Sequence, residues 1–114
     1  AAETYRELLQ DVEELRLPEV AQGARHVWHV YTVRIADPEG LAAHLQRHGV
    51  STGRHYPEPP HLARAFAWLG YKPGSFPEAE ALARETLSLP IFPGITRAQL
   101  ESVATAVGGF FGRG

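Results

Sequence analysis

The 114-residue chain predicts a small α+β fold, two or three strands with helices packed on one face. Three observations predict it. A run of β-branched and aromatic residues fills positions 27–35, segments of helical period lie on both sides of it, and proline and glycine punctuate the joins. At 12.5 kDa the chain has room for one core.

Residues 2–15 place Tyr5, Leu8, Leu9, Val12 and Leu15 on one helical face, and Pro18 closes the segment. Residues 1–23 therefore read as a leading helix and connector. Val27 to Ile35 follows as the strongest strand, with Val27, His29, Tyr31, Val33 and Ile35 on one face. Trp28, Val30, Thr32 and Arg34 occupy the other, and Trp28 and Tyr31 are expected to pack between sheet and helix.

Asp37 suits a helix N-cap and Pro38 the first helical position. Leu41, His44, Leu45 and His48 continue the helix to Gly49. Residues 50–56 predict a second strand, ended by Pro57, Pro59 and Pro60. A short helix over 61–69 closes at Gly70, and residues 71–76 form a loop. A helix from Pro77 to about Ser88 carries Ala81, Leu82, Glu85 and Leu87, and residues 89–94 are short and extended. Thr96 and Gln99 form a capping box for a last helix with Leu100, Val103, Ala104, Val107 and Phe111 on its apolar stripe. Gly108-Gly109 should fray its end. The spacing of the two strands leaves parallel and antiparallel pairing open.

Composition removes several functions. Thirteen acidic residues oppose eleven basic ones, spread evenly along the chain, so nucleic acid is a poor partner. There is no cysteine, hence no disulfide, thiol nucleophile or cysteine-bound zinc. No apolar run is long enough to span a bilayer and the N-terminus lacks a signal-peptide layout, so a cytoplasmic location is expected. No Gly-x-Ser-x-Gly elbow and no glycine-rich phosphate loop is present.

Six histidines raise the question of a metal. His44 and His48 have the i, i+4 spacing of a shared cation, but no third ligand accompanies them, and the expectation is no metal site. His26 and His29 flank the first strand in positions suited to half-burial. The densest polar cluster is Thr52-Gly53-Arg54-His55-Tyr56-Pro57-Glu58-Pro59-Pro60-His61. Arg54 offers a planar cation for carboxylate or phosphate, and His55 and Tyr56 add donors and acceptors facing opposite ways. A strand end entering a proline-stiffened loop either presents a binding surface or is a solvated turn.

The motifs at 24–34, 49–62, Leu69-Gly70-Tyr71, Phe76-Pro77, Ala79-Glu80 and Leu87-Ser88-Leu89-Pro90-Ile91-Phe92-Pro93 together resemble the C-terminal part of the DegT/DnrJ/EryC1/StrS aminotransferases. That resemblance implies the small domain of a fold-type I enzyme over residues 24–114, with an antiparallel sheet. It implies pyridoxal 5'-phosphate, a nucleotide-linked keto-sugar, glutamate as amino donor and a homodimer for the parent enzyme. His55 and Tyr56 then lie at the active-site mouth near the sugar. Arg54 departs from the family, where an apolar residue is common, so its phosphate role rests on its own chemistry.

The family's large domain supplies the Schiff-base lysine, the Asp on the pyridine nitrogen and the ring-stacking residue, none of which has a counterpart here. Lys72, the one lysine, lies in the 71–76 loop outside that context. The expectation is a fragment that is inactive alone, holds no cofactor and self-associates through the face its large domain would cover. The missing initiator Met agrees with truncation. The rival readings are a free-standing, non-catalytic binding module of the same fold and a histidine metal site.

Overall fold

The computed structural model describes residues 1–113. Helix α1 (Ala2–Leu9) leads to strand β1 (Tyr31–Arg34), helix α2 (Pro38–Arg47), helix α3 (Pro77–Glu85), strand β2 (Thr86–Leu89) and helix α4 (Arg97–Phe110). The architecture is α+β, as expected, with β1 and β2 antiparallel and Tyr31 opposite Leu89, Thr32 opposite Ser88, Val33 opposite Leu87 and Arg34 opposite Thr86. The two strands expected from the sequence do not pair with each other: Gly53 bridges Ser88 of β2 in antiparallel sense, so its segment runs in the direction of β1 with β2 between them.

The sheet differs from expectation in its second strand. Residues 50–56 contribute one bridge, Gly53 with Ser88, and Arg16 bridges Arg34 on the opposite edge. The true partner of β1 had been read as the end of a helix running to Ser88. Thr86–Leu89 is buried at every position, so it lacks the alternation that marks a half-exposed strand. A short run buried on both faces cannot be told from helix by period alone.

Strand β1 is also shorter than 27–35. Trp28 adopts φ 52°, outside the extended region, and its ring stacks on His26 at 3.9 Å. His26 Nδ1 accepts the Trp28 N–H at 2.8 Å, a local bond that replaces a ladder bond. Val27 is consequently 87% exposed rather than a core residue. Trp28 still reaches the core, with its ring 5.3 Å from Tyr31.

Alternate residues of the two strands build the core. Tyr31, Val33, Ile35, Leu87 and Leu89 meet Tyr5, Leu9, Val12 and Leu15 from the leading segment, Leu41 and Leu45 from α2, and Leu100, Val103 and Val107 from α4. Helix α1 ends at Leu9 rather than Leu15, yet Val12 and Leu15 stay buried because successive turns, Val12 N to Leu9 O and Leu15 N to Val12 O, keep the apolar face inward. Tyr5 donates its hydroxyl to the Pro90 carbonyl at 2.5 Å, tying the leading helix to the segment after β2. Burial pushes the Tyr31 phenol up to about 12.

Both predicted caps form. Asp37 Oδ1 accepts from Gly40 N at 2.9 Å, and Gln99 N to Thr96 Oγ1 with Thr96 N to Gln99 Oε1 completes the capping box at 3.1 and 2.8 Å. Helix α4 continues through Gly108-Gly109 to Phe110, since buried packing of Val107 and Gly108 outweighs the weak propensity of glycine. The expected helix over 61–69 is instead two 3₁₀ segments, Pro60–Leu62 and Arg64–Leu69, separated by an extended Ala63. Only His61 in that stretch is buried, so no apolar face holds a full helix in place. Among the described residues no helix is long and apolar enough to cross a membrane.

The loop of residues 71–76 is organised by one carboxylate. Glu80 accepts from Gly74 N at 2.8 Å, from Phe76 N at 3.1 Å and lies 3.2 Å from His61 Nε2. The rings of His61, Tyr71 and Phe76 pack edge to face around it. The Gly74 N–H, joined by Phe76 N–H and His61, holds the Glu80 carboxyl below the usual carboxylate range against the opposing pull of burial.

Two expectations follow. Leu87→Ala should cost about 2–5 kcal/mol in denaturant unfolding, whereas Leu82→Ala, at a 43% exposed site, should change stability by no more than about 0.5 kcal/mol. Because the folded Glu80 carboxyl has a lowered pKa, its contribution is complete above the ordinary glutamate value of about 4.3 and is lost as pH falls through the lowered value. Thermal melts of Glu80→Gln should therefore lie below wild type at neutral pH and converge with it in acid.

Candidate functional site

Of the sequence-predicted site residues, His55 lies against the polar face of the sheet. Gly49, in the left-handed region at φ 77°, ends α2 and turns the chain back, with Val50 N donating to Leu45 O at 2.9 Å. The chain then runs along the free edge of β2. Gly53 N donates to Ser88 O at 3.1 Å and Ser88 N to Gly53 O at 2.8 Å. Both main-chain groups of Ser88 are thus spent on Gly53, and Ser88 meets Thr32 as a non-hydrogen-bonded pair, the arrangement in which side chains are closest. Their hydroxyls lie 2.8 Å apart.

Side-chain alternation then sets the next three residues. His55, two residues after Gly53, returns to the face of Ser88 and places Nδ1 2.8 Å from Ser88 Oγ. A Cβ on Gly53 would approach His55 Cε1 to 3.0 Å, so any side chain there would press on the ring in its present place. Tyr56 stands outward, 71% exposed, its ring edge-to-face with His55 at 5.3 Å.

Arg54 points to the opposite face. Its Nη2 donates to the Ala83 carbonyl at 2.5 Å, and Nη1 lies 3.9 Å from Glu39. Ala83 is in the last turn of α3, where the carbonyls lack helical donors, and a guanidinium there satisfies one of them. Arg54 Nε is buried and has no acceptor among the described residues. A groove of 520 Å³ runs beside it, lined by Glu39, Gln46, Val50, Thr52 and Arg54. The structure thus brings His55 and Tyr56 together on the outer side and separates Arg54 from them, clamping the start of α2 to the end of α3.

The sequence motifs did not single out Thr32 and Ser88, although both lay in quoted stretches. The signal was their cross-strand pairing, which only the correct strand partner reveals. Arg34, which pairs with Glu85 on the same face, was likewise overlooked. That guanidinium, opposed by burial, holds the Glu85 carboxyl below the ordinary range.

The histidine pair of α2 has a structural use. His44 Nε2 lies 2.9 Å from the Ala106 carbonyl and so donates to it, joining α2 to α4. His48 Nδ1 donates to the His44 carbonyl at 2.8 Å. Among the described residues no three His, Asp or Glu side chains gather as metal ligands.

Lys72 lacks the setting of a Schiff-base lysine, which needs an enclosed site for an aromatic ring and a phosphate. It is exposed, in a loop whose backbone turns through Lys72 N to Ser75 Oγ at 3.0 Å. The described residues around it do not fit pyridoxal phosphate.

Comparison with known proteins matches residues 1–108 to the DegT/DnrJ/EryC1/StrS aminotransferase family. The chain is 45% identical over 102 residues to the erythromycin biosynthesis sensory transduction protein EryC1 of Saccharopolyspora erythraea, covering 90% of this chain and 28% of that protein. It is 41% identical over 106 residues to a dTDP-3-amino-3,4,6-trideoxy-alpha-D-glucose transaminase of Streptomyces venezuelae, covering 93% and 28%. The crystal structure of S. venezuelae DesV in complex with a ketimine intermediate superposes with a TM-score of 0.92 at 39% identity, over 96% of this chain and 29% of that one. The chain therefore spans less than a third of the length of these relatives. With its sequence matched over residues 1–108 and its fold superposing on a solved relative, the chain belongs to the DegT/DnrJ/EryC1/StrS aminotransferase family.

Proposed function

We propose that these residues are the small-domain part of a pyridoxal-phosphate-dependent aminotransferase that aminates a nucleotide-linked keto-sugar. The observation that carries this reading is the 41% identity to a dTDP-sugar transaminase across 93% of the chain. In this reading residues 1–23 lead into the small domain, residues 24–114 form it, and the lysine that holds the cofactor belongs to sequence outside this chain. Glutamate serves as amino donor, the parent enzyme is a cytoplasmic homodimer, and this chain alone does not transaminate.

His55 and Tyr56 line the sugar side of the site. They supply polar groups at the end of a segment pinned to β2, which fixes their position without burying them. A ring nitrogen and a phenol suit the hydroxyl and carbonyl oxygens of a sugar. Arg54 fixes this segment from behind through Ala83 and Glu39, and any phosphate contact it makes is through the groove on that side. Isolated copies of the chain are expected to associate through exposed aromatic side chains such as Trp68, 79% exposed, and Tyr56, 71% exposed.

Exchanging the matching segment of the S. venezuelae transaminase for this chain gives an enzyme in which the reading can be measured. His55→Ala or Tyr56→Phe should raise KM for the keto-sugar nucleotide by roughly three- to tenfold, the loss of one hydrogen bond, with KM for the amino donor unchanged. Unchanged sugar KM in both variants overturns the assignment. Mixed with pyridoxal phosphate, the chain alone should give no visible absorbance band that Lys72→Ala abolishes; such a band would place cofactor chemistry on these residues.

A further inference from the structure

Thr32, Ser88 and His55 make a three-membered hydrogen-bond chain across two strands and the pinned edge segment. Ser88 is 4% exposed, with its hydroxyl 2.8 Å from Thr32 Oγ1 on one side and 2.8 Å from His55 Nδ1 on the other. A serine hydroxyl has one proton to give. If the polarity ran from His55 to Ser88 to Thr32, the half-buried Thr32 hydroxyl would have only solvent to donate to among the described residues. In the reverse polarity Thr32 donates to Ser88, Ser88 donates to Nδ1, and both hydroxyl protons are used.

We propose that Ser88, backed by Thr32, is a positioning residue that sets the tautomer of His55, leaving its proton on Nε2. The ring nitrogen that carries the proton is decided by the bond the other nitrogen makes. Nδ1 accepts from Ser88, and Nε2–H, which has no partner among the described residues, faces outward as a donor. His55 then recognises an acceptor oxygen and does not serve as a base from that nitrogen. That this oxygen belongs to the sugar nucleotide rests on the function proposed above; the tautomer does not. A backing carboxylate would instead accept from Nδ1–H and turn an unprotonated Nε2 outward.

The test is the two-bond ¹H–¹⁵N ring correlation of His55 in the ¹⁵N-labelled 114-residue chain, recorded at about pH 8.5, where an ordinary imidazole is neutral. Wild type should show a pyridine-type Nδ1 and a pyrrole-type Nε2. Ser88→Ala removes the donor to Nδ1, so the tautomer ratio should move toward Nδ1–H by roughly fivefold. Thr32→Val, which leaves Nδ1 the one side-chain acceptor for the Ser88 proton, should keep the wild-type tautomer. A wild-type Nδ1–H tautomer overturns the proposal, and so does an unchanged ratio in a Ser88→Ala chain whose backbone amide spectrum stays folded. The wild-type spectrum decides alone if that variant does not fold. An Nε2–H tautomer with unaltered sugar KM in His55→Ala would keep the relay and discard the sugar assignment.

Discussion

Everything in this domain depends on the antiparallel pairing of Tyr31–Arg34 with Thr86–Leu89. Four residue pairs produce two chemically distinct faces. Tyr31, Val33, Leu87 and Leu89 build the core with three helices, while buried Thr86 and Ser88 and half-buried Thr32 and Arg34 form a polar layer. Such a layer is stable only if its groups are matched, and here they are: hydroxyl to hydroxyl, hydroxyl to helix carbonyl at Thr86, guanidinium to carboxylate at Arg34. The edge residue Gly53 then attaches to this layer and carries His55 with it.

Much of the fold was legible in the sequence where one signal acted alone. The caps at Asp37 and Thr96 form as read, because side-chain acceptors at helix starts act over three residues. The turn at Gly49 and the closure at Gly70 are legible for the same local reason. The core face of β1 was also readable from alternation at Tyr31, Val33 and Ile35. Strand β2 was not, because Thr86–Leu89 is covered on both sides and follows a helix without a breaking residue. That single misassignment hid the strand pairing and with it Thr32 and Ser88.

The candidate site divides in the same way. His55 and Tyr56 were identifiable as chemistry-bearing neighbours, but the expected strand leading to them is reduced to one bridge at Gly53. Arg54 looked equivalent to them in the sequence, yet alternation turns it toward Glu39 and the last turn of α3. Nothing local distinguishes a ligand-facing arginine from one that caps a neighbouring helix. Glu80 was similar: a carboxylate in the first turn of α3 is ordinary, and only the fold shows it gathering Gly74, Phe76 and His61.

The bridge at Gly53 makes the short span after Gly49 a fixed ruler. An inserted or deleted residue between those glycines would shift every later side chain to the opposite side of the sheet, seating Arg54 against Ser88 and burying His55 beneath. Compensation by bending is closed off, since both main-chain groups of Ser88 already hold the bridge. Natural variants of this domain should accordingly keep that interval constant while tolerating length changes in the exposed connector over 19–27, where no such measure applies.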